Sequence, residues 1–238
     1  MAYTVGNTIF EVSNLLNDQG SIPYARWTQP ELVEYLNDVL IQIGNFRPDA
    51  FTSTISLTLV PGSQQTLPPG ISLLKSIDSN SLNSNCVGAP VTESDLDMAR
   101  AFYKKPCLPS GGPETYRVLN FMYDSRNPGV YYVSPPVPDD VIGFQVDATV
   151  VQDAPQYTIG DLGSFIAIDQ KYHNAIIAWM VMRAYQVDTE SETSFRLAQW
   201  NERQFWQILG VEYKQESLYK SGYWLGEIGK KDSQPSKH

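Results

Sequence analysis

The chain has 238 residues, of which 42% are hydrophobic, 12% aromatic and 18% charged, with a formal net charge of -9 at pH 7. That length and apolar content exclude a disulfide-stapled mini-protein and a chain disordered throughout, because a chain this long can bury a substantial core. The acidic balance, without a single basic run, argues against a protein that grips nucleic acid by neutralising phosphates.

The charge is unevenly placed. Residues 211–238 hold five Lys against four acids, which leaves 12 basic and 22 acidic residues, net -10, on residues 1–210. Cys86 and Cys107 fall in a loop-like stretch with no CxxC spacing and no neighbouring His. That pattern indicates neither a zinc site nor a redox motif and leaves open whether the two pair. No apolar run approaches the ~20 residues of a membrane span, and "MAYTVGNTIF" lacks the basic and apolar regions of a signal peptide. The expected compartment is therefore the cytosol of the producing cell.

In chain order, Val5, Ile9, Val12, Leu15 and Leu16 recur at helical spacing and predict a short first helix over 4–18. Thr28-Gln29-Pro30-Glu31 then supplies an N-cap threonine, a first-turn proline and a capping-box glutamate. Leu32, Tyr35, Leu36, Val39, Leu40 and Ile43 follow as a wide apolar stripe, closed by Gly44-Asn45 and Pro48. One such stripe needs partners. From Phe51 the period becomes two: Ile55, Leu57 and Leu59 alternate with Ser and Thr up to Pro61-Gly62.

Two more short strands are predicted around Pro68-Pro69-Gly70, and a short helix capped by Thr92 or Ser94 in "TESDLDMARAFYKK". "TYRVLNFMYD" and "GVYYVSPP" flank a turn-rich "SRNPG" and predict a hairpin, with "VIGFQVDATVV" as its neighbour. The helical period returns in "SFIAIDQKYHNAIIAWMVMRAYQVD", with Ile168, Tyr172, Ala175, Ile176, Trp179, Met182 and Tyr185 on one stripe. A second capping pattern at 189–192 opens a last helix, with Leu197, Trp200, Phe205, Ile208 and Leu209 read as its inward face and Gly210 as its end.

The resulting fold class is α+β. An α-helical bundle is formed by both ends of the chain, residues 1–50 and 161–210. An antiparallel β module, 51–160, is inserted between its second and third helices, and residues 211–238 make an extended C-terminal arm with a disordered end.

Few residues offer chemistry. GxSxG, P-loop, GxGxxG and HExxH patterns are absent from the sequence. Of the two histidines, His173 reads as a polar-face helix residue and His238 lies in the tail, so no triad can be named. Asp95-x-Asp97 and Asp139-Asp140 read as solvated turn acids rather than a glycosidase pair or a calcium loop. No catalytic residue, metal or cofactor is assigned.

Aromatic residues are the more informative group. Phe205 and Trp206 point about 100° apart on one helix, so they cannot share one stripe and one of them needs a second surface. Large aromatics are favoured anchors at subunit interfaces. Tyr213, Tyr219, Tyr223, Trp224 and Leu225 lie in a glycine-punctuated arm that would not keep them in water. Trp206 and these five are the candidate interface residues.

"WTQPELVEYLNDVLIQIGNFRPDAF" (27–51) and "KYHNAIIAWMVMRAYQVDTESETSFRLAQWNERQFWQILG" (171–210) resemble the head-to-tail connectors of short-tailed phages, the adaptor or head-completion proteins. The "RAYQVDTE" junction looks like the helix-turn-helix of those adaptors.

The resemblance implies a structural virion protein of the neck, not an enzyme, assembled in the host cytoplasm. It would be a subunit of a homo-oligomeric ring, commonly a dodecamer, under the portal protein. The arm would reach the portal and the β module would project toward a tail nozzle or tail tube protein. DNA would pass through the channel without specific binding and no membrane would be involved, in keeping with the negative charge. The alternative is a receptor- or carbohydrate-binding β module with Tyr116, Tyr131 and Tyr132 as a stacking platform.

Overall fold

A computed structural model describes residues 3–20, 23–81, 88–96, 116–123, 127–187 and 191–210. Helices stand at both ends of the chain with β structure between them, an α+β fold. The chain divides into two compact units at Ala50/Phe51 and Asp153/Ala154.

In the helical unit, α1 (Val5–Leu15) starts at Thr4, whose Oγ1 accepts from Asn7 N–H at 3.1 Å. Val5, Ile9 and Val12 are buried. The segment before α1 lies along residues 162–166: Val5 and Gly6 donate to the Ser164 and Leu162 carbonyls, and Ile166 donates to Tyr3. A Cβ on Gly6 would sit 2.9 Å from the Leu162 oxygen, so only glycine permits this approach. Asp18, nearly buried, organises the loop between the first two helices, its carboxylate accepting from the Arg26 and Trp27 N–H groups.

The second helix, α2 (Gln29–Phe46), begins as its capping signal predicts: the Glu31 carboxylate accepts from Thr28 N–H and Oγ1, both at 2.8 Å. It runs through Gly44-Asn45 to Phe46, because burial of Val39, Leu40 and Ile43 offsets the cost of one helical glycine, only about 1 kcal/mol. Next come α3 (His173–Val187) and α4 (Glu192–Ile208). The third helix starts later than its apolar pattern suggests, after a 3₁₀ turn at Gln170–Tyr172 capped by Asp169. It packs against each of α1, α2 and α4 and is accordingly buried on most sides.

Residues 154–160, expected in the β module, belong with the helices. Asn37 of α2 exchanges two hydrogen bonds with the Tyr157 backbone, and Thr158 and Asp161 form a small capping box. The Asn37 pairing, at a sequence separation of 120, has no local signature.

Among its described residues the β unit holds two sheets. β1 (Thr52–Thr58), β7 (Gln145–Gln152) and β3 (Ile71–Asn80) form one, in the order β1-β7-β3. β2 (Gly62–Thr66), β6 (Val130–Val137), β5 (Asn120–Tyr123) and β4 (Thr92–Glu93) form the other, in the order β2-β6-β5-β4. Pairing is antiparallel except for β4 with β5, which is parallel. Alternate residues of both sheets meet in a single core that includes Leu57, Ile77, Phe121, Tyr131, Phe144 and Val146.

Two expectations change within the β unit. The hairpin expected over 116–135 is supported by the antiparallel pairing of β5 with β6, but its expected neighbour β7 lies in the other sheet, between β1 and β3. Thr92, one of the two candidate caps, lies with Glu93 in a short strand, and the other, Ser94, follows it. Residues 97–105 of that segment, together with Cys86 and Cys107, lie outside the described residues.

Candidate assembly surface

The last helix is built in an unusual way. Its buried residues are Ser194, Ala198, Asn201 and Phe205, with Leu209 at the C-cap, recurring at three and four. Three of these are small or polar, which lets α4 approach α3 closely. Asn201 satisfies itself by donating from Nδ2 to the Leu197 carbonyl at 2.8 Å. The larger apolar side chains stand outside this stripe: Phe195 is 61% exposed, Trp200 58%, Ile208 40% and Leu197 38%. These exposures correct the expectation that Leu197, Trp200 and Ile208 face inward. A search for large apolar residues follows the wrong rows of a helix whose packing face is Ser-x₃-Ala-x₂-Asn-x₃-Phe.

Phe205 and Trp206 divide as their 100° separation requires. Phe205 is fully buried, 4.6 Å between ring centroids from Trp179 of α3. Trp206 is half-buried on the adjoining row, edge-on to Phe46 at the end of α2 at 4.6 Å and to Phe205 at 4.9 Å. Its second surface thus includes the end of α2. Trp179 is fixed by an Nε1–H donation to Asp38 at 3.3 Å, and Arg183 Nε lies 3.1 Å from the same carboxylate oxygen as an ion contact without hydrogen-bond geometry. The aromatic cluster is therefore rigid on its inner side. Tyr213, Tyr219, Tyr223, Trp224 and Leu225 lie outside the described residues.

His173 is not on a polar face. It is buried, stacked on Tyr3 with centroids 3.5 Å apart, and its Nε2 lies 2.9 Å from Glu11 Oε2 of α1. This ties α3 to the N-terminal segment. A half-open cavity of about 230 Å³ beside the stack is lined chiefly by Tyr3, Ile166, Ile168, Asp169, His173 and Ile176. Its carboxylate, Asp169, already caps the following turn by accepting from Lys171 N–H, and that bond holds it below the usual aspartate value.

The tyrosine platform of the alternative reading does not exist. Tyr116 and Tyr131 are core residues, Tyr116 donating its hydroxyl to the Pro135 carbonyl at 2.8 Å and meeting Phe144 edge-on. Burial pushes both phenols well above their ordinary value. Strand alternation places Tyr131 correctly on the inner face, and its aromatic character alone suggests a surface role. Asp139 and Asp140 are exposed in the β6–β7 turn. Among the described residues, no cluster of three or more His, Cys, Asp or Glu could hold a metal, and no helix is long and apolar enough to cross a membrane.

No curated protein matches the chain. A family does: the model of the SU10 adaptor protein family matches residues 3–218, spanning both halves of the helical unit and the β unit between them. With that match over most of its length, the chain belongs to the SU10 adaptor protein family and is a structural phage adaptor protein.

Proposed function

We propose that the protein is a non-catalytic subunit of a homo-oligomeric ring, twelve copies in the commonest arrangement of such connectors, set in the virion neck between the portal protein and the tail. Family membership carries the adaptor role. The finer reading rests on one observation, that α4 packs largely through Ser194, Ala198 and Asn201 and leaves Phe195, Leu197, Trp200 and Ile208 exposed.

In a closed ring each subunit offers two different patches to its neighbours. The outer rows of α4, with Leu197, Trp200 and Ile208, and Trp206 on the row beside them, supply one of them. Each such side chain covered by a neighbour contributes about 1.5–3 kcal/mol before the costs of association. Tyr213, Tyr219, Tyr223, Trp224 and Leu225 of the arm anchor on the portal. The acidic residues favour passage of DNA through the channel by like-charge repulsion. Assembly takes place in the host cytoplasm.

Native mass measurement of the full chain, with and without purified portal rings, tests this directly. Portal-dependent recruitment of a fixed number of copies is expected, and a chain that stays monomeric beside the portal would sink the reading. Deleting 211–238 should leave a folded chain that no longer joins the portal. Trp206→Ala should lower ring formation more than it lowers Tm; the reverse order would confine Trp206 to an intramolecular role.

A further inference from the structure

The last described helix carries exposed apolar residues, and the chain that follows starts from its end. α4 faces inward with Ser194, Ala198, Asn201 and Phe205. At 100° per residue the opposite stripe is Arg196, Trp200, Arg203 and Gln207, all exposed, with Leu197 beside it. A large indole thus stands between two guanidinium groups.

The way the chain leaves α4 is fixed. Leu209 N–H donates to the Phe205 carbonyl in the helical pattern, but Gly210 N–H reaches back to the Gln207 carbonyl at 3.1 Å. With φ at 64°, Gly210 stands in the left-handed region, and this bond is the inner one of a Schellman ending. Such an ending turns the chain back on its helix. In it the residue after the glycine, here Val211, donates to the carbonyl of the C3 residue, here Trp206, and packs against that side chain.

The segment so directed suits the stripe. In "VEYKQESL", residues 211–218, Val211 and Tyr213 fall on one side of an extended chain. Glu212 and Glu216 bring carboxylates to a helix face that offers Arg196 and Arg203. Arg196 already pairs with Glu192 at 2.6 Å, so Arg203 is the stronger attraction. The 17 residues of α4 span about 25 Å, a length that about eight extended residues can follow. A tethered segment meets its own helix at the millimolar effective concentration of a short linker, so weak contacts suffice.

We propose that residues 211–218 fold back along the outer stripe of α4 in the free subunit, as a strap over Trp200 that withholds this face from a neighbouring copy until the portal draws the arm away. The strap follows from the helix ending and the stripe; its release rests on the ring reading given above. Strap and neighbour compete for one surface. A ring therefore closes only where the arm has another place to go.

The test uses the full-length chain, free of portal, with the photo-crosslinker benzoylphenylalanine in place of Trp200. The expected product runs as a monomer and joins position 200 to a peptide within 211–218, read by mass spectrometry. Crosslinks only to other parts of the same chain, only between two chains, or none at all would overturn the strap. Gly210→Val, strained at this φ, should lower the yield of that crosslink at least threefold, and an undiminished yield would count against the chain reversal. In parallel, Val211→Ser with Tyr213→Ser should tighten self-association of the full chain roughly threefold in sedimentation velocity, as expected if the strap closes about two thirds of free subunits. Unchanged self-association, in a chain that portal rings still recruit, would overturn the withholding role. A crosslink to 211–218 in a chain that portal rings never recruit would remove the ring reading and leave the strap standing.

Discussion

The two units solve the same burial problem in opposite ways. The β unit is one continuous stretch, and its large aromatics Tyr116, Tyr131 and Phe144 are inside. Its buried Asn80 is satisfied from within, donating to the Ala89 and Val118 carbonyls and accepting from Val118 N–H. The helical unit is assembled from two stretches of chain and leaves Phe195 and Trp200 of its last helix in solvent. The difference teaches that aromatic content alone does not mark an interface. Here the informative residues are those left outside a helix whose own packing face is small.

The sharpest way to break this comparison is to cut the chain. Residues 51–153 expressed alone should unfold cooperatively on heating, followed by circular dichroism, while residues 1–50 alone should lack a transition. A cooperative 1–50 fragment would show that the helical unit does not depend on its second half. Next in size is the contrast between inner and outer helix positions. Met180→Ala, at a fully buried site of α3, should cost about 2–5 kcal/mol in urea denaturation, whereas Trp200→Ala should stay within about 0.5 kcal/mol. An equal loss at both would mean that Trp200 is a core residue in solution.

Within the β unit, Asn80→Ala should cost about 1–3 kcal/mol by stranding buried backbone groups. Faster hydrogen exchange at Val118 N–H would check that assignment.

The smallest effect concerns Asp161. Hydrogen bonds from the Thr158 hydroxyl and N–H hold its carboxyl below the ordinary aspartate value. The sign follows: its stabilisation is present above the unfolded pKa and is lost as pH falls through the lowered folded value. An NMR titration of the Asp161 carboxyl should inflect below that of an unstructured aspartate, and Thr158→Val should bring it back up.

Much of the framework is legible in the sequence because it is written in local chemistry. Thr28 with Glu31 marks the start of α2, Gly210 with φ 64° marks the end of α4, and period-two runs mark β1 and β6. What is not legible depends on partners distant in sequence. Alternation states which side chains of β7 point inward, not that β1 and β3 rather than β6 lie beside it. A helical wheel likewise cannot state how closely a neighbour approaches, so the expectation of Trp200 as an inner residue of α4 fails and Ala198 takes that place. His173 reads as a polar-face residue between Tyr172 and Asn174, yet Tyr3 stacks on it and Glu11, 162 residues earlier, lies against its Nε2.

The tie between Gly6 and Leu162 also sets a clock. During synthesis at about 5–20 residues per second, α1 emerges on the order of ten seconds before the carbonyl that receives its first N–H groups. The contiguous β unit can close in that interval, while the stripes of α1 and α2 remain uncovered. On the ribosome, the helical unit is therefore the first to be started and the last to be finished. Its early half is the part of the nascent chain that most needs shielding from aggregation.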